Sequence, residues 1–227
     1  PTHPVELRYD SKEHTFTPKP ESEAAFCQLG GIVLGTITKD DLKRVCYWTL
    51  RLQEAVFNIS DYSRISFSHK QKKRRSIGIG LVNLEHMLVK EVYSQYPENQ
   101  WQHQVAKSTH EWMEAIKYWI LDASIELAKE LGTPELFGRS KYSQNILPID
   151  TWKNNHLTDF PLAMPWESLR AKGQLYGYRY STHDAYMPVE SSSVKFGKIN
   201  GIEGARAAVT NKGNKKLTVA VAVPEVG

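Results

Sequence analysis

Ala185-Tyr186-Met187-Pro188-Val189-Glu190-Ser191-Ser192-Ser193 is the stretch that decides the fold, because one type of regular structure gives way to another within it. Just before it, Tyr176, Tyr178 and Tyr180 alternate with other residues, and this period of two predicts a strand over residues 176–187. Pro188 ends the strand, and the serines that follow indicate the start of a helix. The stretch therefore predicts a strand that passes directly into a helix.

The start of this helix is a candidate anion-binding site. The first N–H groups of a helix have no partner inside it and lie at the positive end of its dipole, so they can bind a phosphate group. The candidate residues are Pro188, Val189, Glu190, Ser191 and Ser192, and the serine hydroxyls can add donors. The same pattern is also typical of a serine-rich helix cap without a ligand, and spacing alone names no ligand.

The two cysteines, Cys27 and Cys46, differ in their surroundings. Cys46 lies among apolar residues at helical spacing, in a helix capped by Thr38, and is predicted to be a core residue. Cys27 directly precedes a glycine-containing apolar strand. It is either a small buried hydrophobic residue or a thiol that forms a disulfide when a second cysteine comes close.

Further elements are predicted on both sides of the deciding stretch. A helix is predicted to begin near Gly80, a long one to cover about residues 102–131, and a short one to follow Pro165 and end at Gly173. The aromatic side chains of the long helix are predicted to pack in the core rather than to hold a cofactor. A β-hairpin is predicted around residues 211–214, and residues 1–25 are predicted to be an irregular lead-in.

Composition narrows the function classes. The chain has 227 residues, of which 41% are hydrophobic and 24% charged, as in a globular protein with a buried core. No apolar run is long enough for a membrane span, and two cysteines are too few for a disulfide-stapled secreted protein and lack zinc-site spacing. These features favour the reducing cytoplasm.

A basic run at residues 69–75 accounts for a good part of the net charge of +4. Without a nucleic-acid motif it is weak evidence for a polyanionic partner, so a solvated loop is expected there and no nucleic acid or membrane partner is predicted.

Four segments, in the same order and across nearly the whole chain, resemble the large subunit of class I ribonucleoside-diphosphate reductases, particularly bacterial and phage forms. They are Arg74-Arg75-Ser76-Ile77-Gly78-Ile79-Gly80, Tyr142-Ser143-Gln144-Asn145-Ile146-Leu147-Pro148-Ile149-Asp150-Thr151, Ala185 to Ser192 as quoted above, and Asn200-Gly201-Ile202-Glu203. The resemblance implies an α/β fold in which residues 26–227 form part of a ten-stranded barrel with outer helices. It also implies reduction of ribonucleoside diphosphates to deoxyribonucleoside diphosphates by thiyl-radical chemistry, for DNA synthesis.

Two site assignments rest on this resemblance. The 188–192 loop resembles the site that binds the substrate diphosphate. Cys27, in Phe26-Cys27-Gln28-Leu29, matches a redox cysteine that forms a disulfide as the ribose is reduced. The chain also departs from the family: Val189 stands where serine is usual, and Ser191 replaces threonine. Gly204-Ala205 stands where the family continues with proline, so a looser loop is expected there.

The resemblance also implies partners. The family's thiyl-radical cysteine and second redox cysteine lie before the residue that matches Pro1, and its relay tyrosines and re-reducing cysteines lie after the match to Gly227. We therefore expect the chain to hold no metal or cofactor of its own. It is expected to work with an N-terminal part of the large subunit, a small radical-generating subunit that contains metal, and thioredoxin or glutaredoxin as reductant. The alternatives are a diverged non-catalytic remnant that acts as a binding or scaffold module, and a nucleic-acid-binding module.

Overall fold

The computed structural model describes residues 7–18, 27–62, 65–151, 160–205, 207–213 and 218–222. The strands in these ranges are β1 (Leu7–Asp10), β2 (Thr15–Pro18), β3 (Gln28–Val33), β4 (Ser76–Val82), β5 (Thr182–Asp184), β6 (Val209–Gly213) and β7 (Thr218–Ala222). The α-helices are α1 (Leu42–Ile59), α2 (Ile65–Arg74), α3 (Leu84–Tyr93), α4 (Trp101–Leu131), α5 (Trp166–Tyr176) and α6 (Glu190–Phe196). Within this part of the chain, no helix is long and apolar enough to cross a membrane.

A parallel three-stranded sheet in the order β3-β4-β5 is the centre of the fold. Helices α1 and α2 connect β3 to β4, and α3, α4 and α5 connect β4 to β5. Parallel strands joined through helices are typical of α/β folds, so the predicted fold class is confirmed at that level. In the described ranges the sheet does not close into a barrel, and β3 and β5 are its two edges.

One face of the sheet carries the hydrophobic core. Ile32, Ile77 and Ile79 pack there in one buried cluster with Leu50 of α1 and Ile116 of α4. The long helix, its end at Gly132 and its place in the core agree with the sequence prediction. Burial of these apolar side chains between the sheet and the helices is the main stabilising term, since about 25 cal/mol is gained per Å² removed from water.

The predicted strand over residues 176–187 is confirmed only for the three residues of β5. Helix α5 ends at Tyr176, and Gly177, which caps it, has a φ of 72°. Tyr178, Arg179 and Tyr180 are all buried, so their side chains do not alternate between core and solvent. Neighbouring helices bind them instead: the Arg179 amide donates to α4, and the Tyr180 hydroxyl donates to a carbonyl of α1 at 2.9 Å. The alternation in residue type therefore did not reflect an alternation in burial.

Two predicted helix boundaries are also wrong. Gly80 does not begin a helix but lies inside β4, where every residue is buried, and α3 begins at Leu84. Gly173 does not end its helix; it lies within α5, where the ring of Tyr178 occupies the space that a Cβ would need. Glycine serves close packing at both positions, which a sequence pattern does not distinguish from a helix end.

Residues 7–18, inside the predicted irregular lead-in, form a β-hairpin of β1 and β2. The rings of Tyr9 and Phe16 pack across the two strands with centroids 4.9 Å apart. Asp10 accepts the Lys12 amide at 2.9 Å, a local bond that is typical of turns. Residues 1–6 and 19–26 lie outside the described residues. At the other end of the chain, β6 and β7 confirm a hairpin, with Val209 opposite Ala222, but residues 211–213 of the predicted turn belong to β6.

A buried ion cluster holds the chain where it enters β5. The carboxylate of Glu54, on α1, accepts two hydrogen bonds from the Arg179 guanidinium at 2.7 and 3.2 Å, and the Tyr180 hydroxyl, whose one hydrogen is shared with the α1 carbonyl, lies 3.2 Å from it. Arg75 lies 3.1 Å from the same carboxylate. Because buried charges are tolerated only when paired, these contacts fix the residues around 179 against α1.

Candidate functional site

A glycine face lies on the side of the sheet opposite the core. In the parallel register Leu29 pairs with Gly78 and Gly31 with Gly80, so these side-chain positions point to the same side of the sheet. We call Gly31, Gly78 and Gly80 the glycine face. With no side chains there, the sheet offers a flat surface on which a second chain segment can lie close to the backbone.

Residues 185–189 occupy this surface. A Cβ at Gly78 would lie 2.9 Å from the Cβ of Ala185, and one at Gly80 would lie 3.0 Å from the sulfur of Met187. A Cβ at Gly31 would lie 3.4 Å from Cγ1 of Val189. Alternate residues of the segment therefore rest on successive glycines, which sets the position of the loop that follows.

The 188–192 loop presents unpaired amides at the start of α6. Among the described residues, the amides of Glu190, Ser191 and Ser192 donate no hydrogen bond, as expected for the first turn of a helix. Pro188 has no N–H, and the Val189 amide is already bonded to the side chain of Asn200 at 2.6 Å. Three of the five predicted residues thus have amides available to an anion.

The Cys27 thiol lies on the same side of the sheet. It is a free and exposed cysteine, which excludes the alternative of a small buried hydrophobic residue. Its sulfur is 3.7 Å from the position that a Cβ of Gly78 would take, whereas Val189 lies at the level of Gly31 and Gly80. Two residues of strand rise separate these levels, about 7 Å. The structure thus brings both predicted site elements to the glycine face.

Cys46 is not a partner for this thiol. It lies on α1, is fully buried in the hydrophobic cluster on the core face, and is also a free cysteine. Burial raises the pKa of the Cys46 thiol to about 12, so the group stays protonated. The prediction that Cys46 is a core residue is confirmed.

Two asparagines that tie the loop to the sheet were not recognised as site residues from sequence. Asn200 accepts the Val189 amide and donates to the Glu190 carboxylate at 3.1 Å. Asn83, directly after β4, bonds both backbone groups of Ile199. Asn200 could have been noticed because it opens one of the four quoted segments. Asn83 carries no sequence signal beyond a polar residue between a strand and a helix.

The charged and titratable groups of β5 do not add charge to the loop surface. Asp184 forms an ion pair with Lys117 of α4. Burial holds the pKa of His183 well below its ordinary value, and the charge of Lys117 acts in the same direction, so the imidazole is neutral. Its Nε2 lies 2.8 Å from the hydroxyl of Ser124. Both side chains are structural in this arrangement.

The loop expected to be looser, at Gly204-Ala205, has a hydrogen bond that proline could not make. The Ala205 amide donates to the carboxylate of Glu85, on α3, at 2.7 Å. A Cβ at Gly204 would lie 2.8 Å from the same carboxylate. The residues that stand where proline was expected are therefore held to α3 through Glu85.

The basic run is not a loop and is partly neutralised within the chain. It covers the end of α2, and Lys73 pairs with Glu135 at 2.7 Å while Arg75 pairs with the buried Glu54. The described residues also contain no group of three or more histidine, cysteine, aspartate or glutamate side chains arranged to bind a metal.

Comparisons with known proteins agree on one family. A sequence model described as "Ribonucleotide reductase, barrel domain" matches residues 11–226. The ribonucleoside-diphosphate reductase subunit alpha of Haemophilus influenzae is 38% identical over 208 residues, which cover 89% of this chain and 27% of that protein. The corresponding protein of Enterobacteria phage T4 is 32% identical over 214 residues, which cover 91% of this chain and 27% of the phage protein.

Ribonucleoside-diphosphate reductase 1 subunit alpha of Escherichia coli is 39% identical over 156 residues, which cover 67% of this chain and 20% of that protein. The chain thus spans about a quarter of the length of the curated relatives it matches.

Proposed function

Because the chain belongs to the ribonucleotide reductase barrel-domain family, we propose that it is part of a large, alpha-type subunit that reduces ribonucleoside diphosphates to deoxyribonucleoside diphosphates. Its own contribution is to bind the substrate diphosphate at the 188–192 loop. The observation that carries this assignment is the row of three unpaired amides at Glu190, Ser191 and Ser192, on the same side of the sheet as the Cys27 thiol.

The loop suits a diphosphate on chemical grounds. Backbone N–H groups at the positive end of a helix stabilise phosphate oxygens without a charged side chain. The hydroxyls of Ser191 and Ser192 can donate further bonds. Val189, which replaces the serine usual in the family, turns its side chain to Gly31, so the missing hydroxyl costs at most one donor.

Cys27 is proposed as one of two thiols that supply the electrons. In the overall step, the C–O bond at the ribose 2′ carbon is replaced by C–H, two thiols are oxidised to a disulfide, and the oxygen leaves as water. The second thiol would come from an N-terminal part of the large subunit, because Cys46 is buried on the other side of the sheet. We propose thioredoxin or glutaredoxin as the reductant that restores the pair, in the cytoplasm.

A small subunit that contains metal is proposed to generate the radical. The parallel sheet is proposed to be a section of the ten-stranded barrel with α1 and α4 among its outer helices. What supports this is the pair of open edges at β3 and β5, which further barrel strands would cover.

The diphosphate assignment can be tested with two variants at one position. Glu190→Pro removes the Glu190 carboxylate and its amide, whereas Glu190→Ala removes only the carboxylate. Proline is tolerated at the first helical position, so α6 should form in both. A hydrogen bond to a charged group is worth about 2 kcal/mol, so we expect Glu190→Pro to bind a ribonucleoside diphosphate roughly thirtyfold more weakly than Glu190→Ala. Equal affinities in calorimetric titrations would refute the assignment.

The rival function is a non-catalytic binding or scaffold module, which the departure from the family pattern at Gly204-Ala205 favours. Cys27→Ser discriminates between the two. An assembly of this chain with an N-terminal piece and the small subunit should reduce nucleotides, and Cys27→Ser should abolish turnover with thioredoxin or glutaredoxin. A scaffold would bind its partners equally well with either residue, and the mixture would show no reduction at all.

A further inference from the structure

The side chain of Asn200 joins two neighbouring residues of the 188–192 loop. Its carbonyl oxygen accepts the Val189 amide at 2.6 Å, and its NH2 group donates to the Glu190 carboxylate at 3.1 Å. The primary amide accepts through its oxygen and donates through its nitrogen, and neither alanine nor aspartate can make both bonds. The contact is therefore specific to the residue type and is not general packing.

Asn83 fixes the backbone next to Asn200. The Asn83 amide donates to the Ile199 carbonyl at 2.9 Å, and its side-chain oxygen accepts the Ile199 amide at 3.3 Å. Its NH2 group donates to the Leu34 carbonyl, just after β3, at 3.0 Å. Asn83 itself is 1% exposed and has a φ of 73°. The hydrogen bonds of Asn83 and Asn200, joined through the peptide bond between Ile199 and Asn200, thus link the ends of β3 and β4 to the loop.

We propose that Asn200 is a positioning residue for the diphosphate, an inference that rests on the proposed function of the 188–192 loop. Because Asn200 accepts the hydrogen bond of the Val189 amide, the amides that remain for the ligand are those of Glu190, Ser191 and Ser192. By holding the Glu190 carboxylate, it restrains a negative charge that would otherwise be free to approach the phosphate oxygens. Asn83 makes this possible by anchoring Ile199 to the sheet.

Substitutions at Asn200 separate these two effects. Asn200→Ala removes both hydrogen bonds, so the full chain should bind inorganic pyrophosphate about tenfold more weakly. Asn200→Asp can still accept the Val189 amide but faces the Glu190 carboxylate with a second carboxylate, so the loss should be larger. The double variant Glu190→Gln/Asn200→Asp exchanges donor and acceptor and restores the original net charge. It should recover most of the affinity that Asn200→Asp loses.

The control variant is Asn211→Ala, an exposed asparagine in β6, which should bind pyrophosphate like the wild type. Affinities are measured by calorimetry at a temperature where the far-ultraviolet circular dichroism of each variant shows a folded chain. If Asn200→Ala does not fold, the comparison of Asn200→Asp with the double variant decides. A structural role alone would not produce recovery through exchanged polarity.

The possible failures are distinguishable. A wild-type chain that does not bind pyrophosphate overturns the proposed function and this inference together. Wild-type binding that Asn200→Ala leaves unchanged, or a double variant no better than Asn200→Asp, overturns only the positioning role of Asn200.

Discussion

Gly78→Ala tests whether the glycine face sets the position of the 188–192 loop. The new Cβ would lie 2.9 Å from the Cβ of Ala185 and 3.1 Å from Cδ2 of Leu29. Leu29 can change rotamer, but the Cβ of Ala185 is fixed to a backbone that donates to the Ile79 carbonyl at 3.2 Å. The segment must therefore move away from the sheet. Overpacking of this kind costs about 1–3 kcal/mol, and replacing glycine in a strand returns about 0.5–1 kcal/mol, so we expect a net loss of up to about 2.5 kcal/mol.

Gly31→Ala is the matched control, because its Cβ would meet Val189 at an ordinary contact distance of 3.4 Å. It should leave stability unchanged or raise it by up to about 1 kcal/mol. Urea unfolding followed by circular dichroism gives both values, and pyrophosphate titration shows whether the loop has moved. If Gly78→Ala is as stable as Gly31→Ala and binds pyrophosphate equally well, the segment over residues 185–189 does not rest on this face as described.

Three further predictions concern the rest of the chain. Iodoacetamide at pH 8 should modify Cys27 but not Cys46 in the folded chain, because Cys46 is buried and its pKa is raised to about 12. Both cysteines should react after unfolding. Intact mass counts the adducts, and two adducts on the folded chain would contradict the burial of Cys46. Glu54→Gln should lower the free energy of unfolding in urea by about 3–5 kcal/mol, because it leaves buried guanidinium groups without their carboxylate. Glu135→Gln, at an exposed ion pair, should lower it by less than about 1 kcal/mol. Similar losses for the two variants would contradict this difference. Hydrogen bonds from Arg170 hold the pKa of Asp150 below its ordinary 3.8. Urea unfolding should therefore show Asp150→Asn to be less stable than the wild type above about pH 4, and the difference should vanish as the pH falls further. A difference that does not depend on pH would exclude the ion pair as its cause.

The parts of the fold that follow local rules could be predicted from the sequence. The 31-residue helix α4 has a long apolar period and a glycine at its end, and it was predicted within a residue or so at each end. The β6-β7 hairpin is predicted from a turn between two apolar runs, although residues 211–213 of that turn extend β6. In both cases the signal and the stabilising contacts lie in the same short segment.

The parts that depend on distant contacts could not be predicted. Tyr178 and Tyr180 alternate like strand residues, yet each is buried against a different set of neighbours that only the tertiary fold assembles. The glycines of β4 resembled a helix start because nothing local reveals that residues 185–189 will lie on them. The same is true of the site: the 188–192 loop had a local signal, but the role of Asn83 depends on a partner more than a hundred residues away.

The two open edges of the central sheet determine how this polypeptide should behave in solution. In the part of the chain that the structure describes, β3 and β5 each have one side with no strand beside it, so their backbone groups there can pair with any extended segment, whatever its side chains. At high concentration the chain should therefore self-associate through these edges, and a strand that pairs with either edge should reduce this self-association.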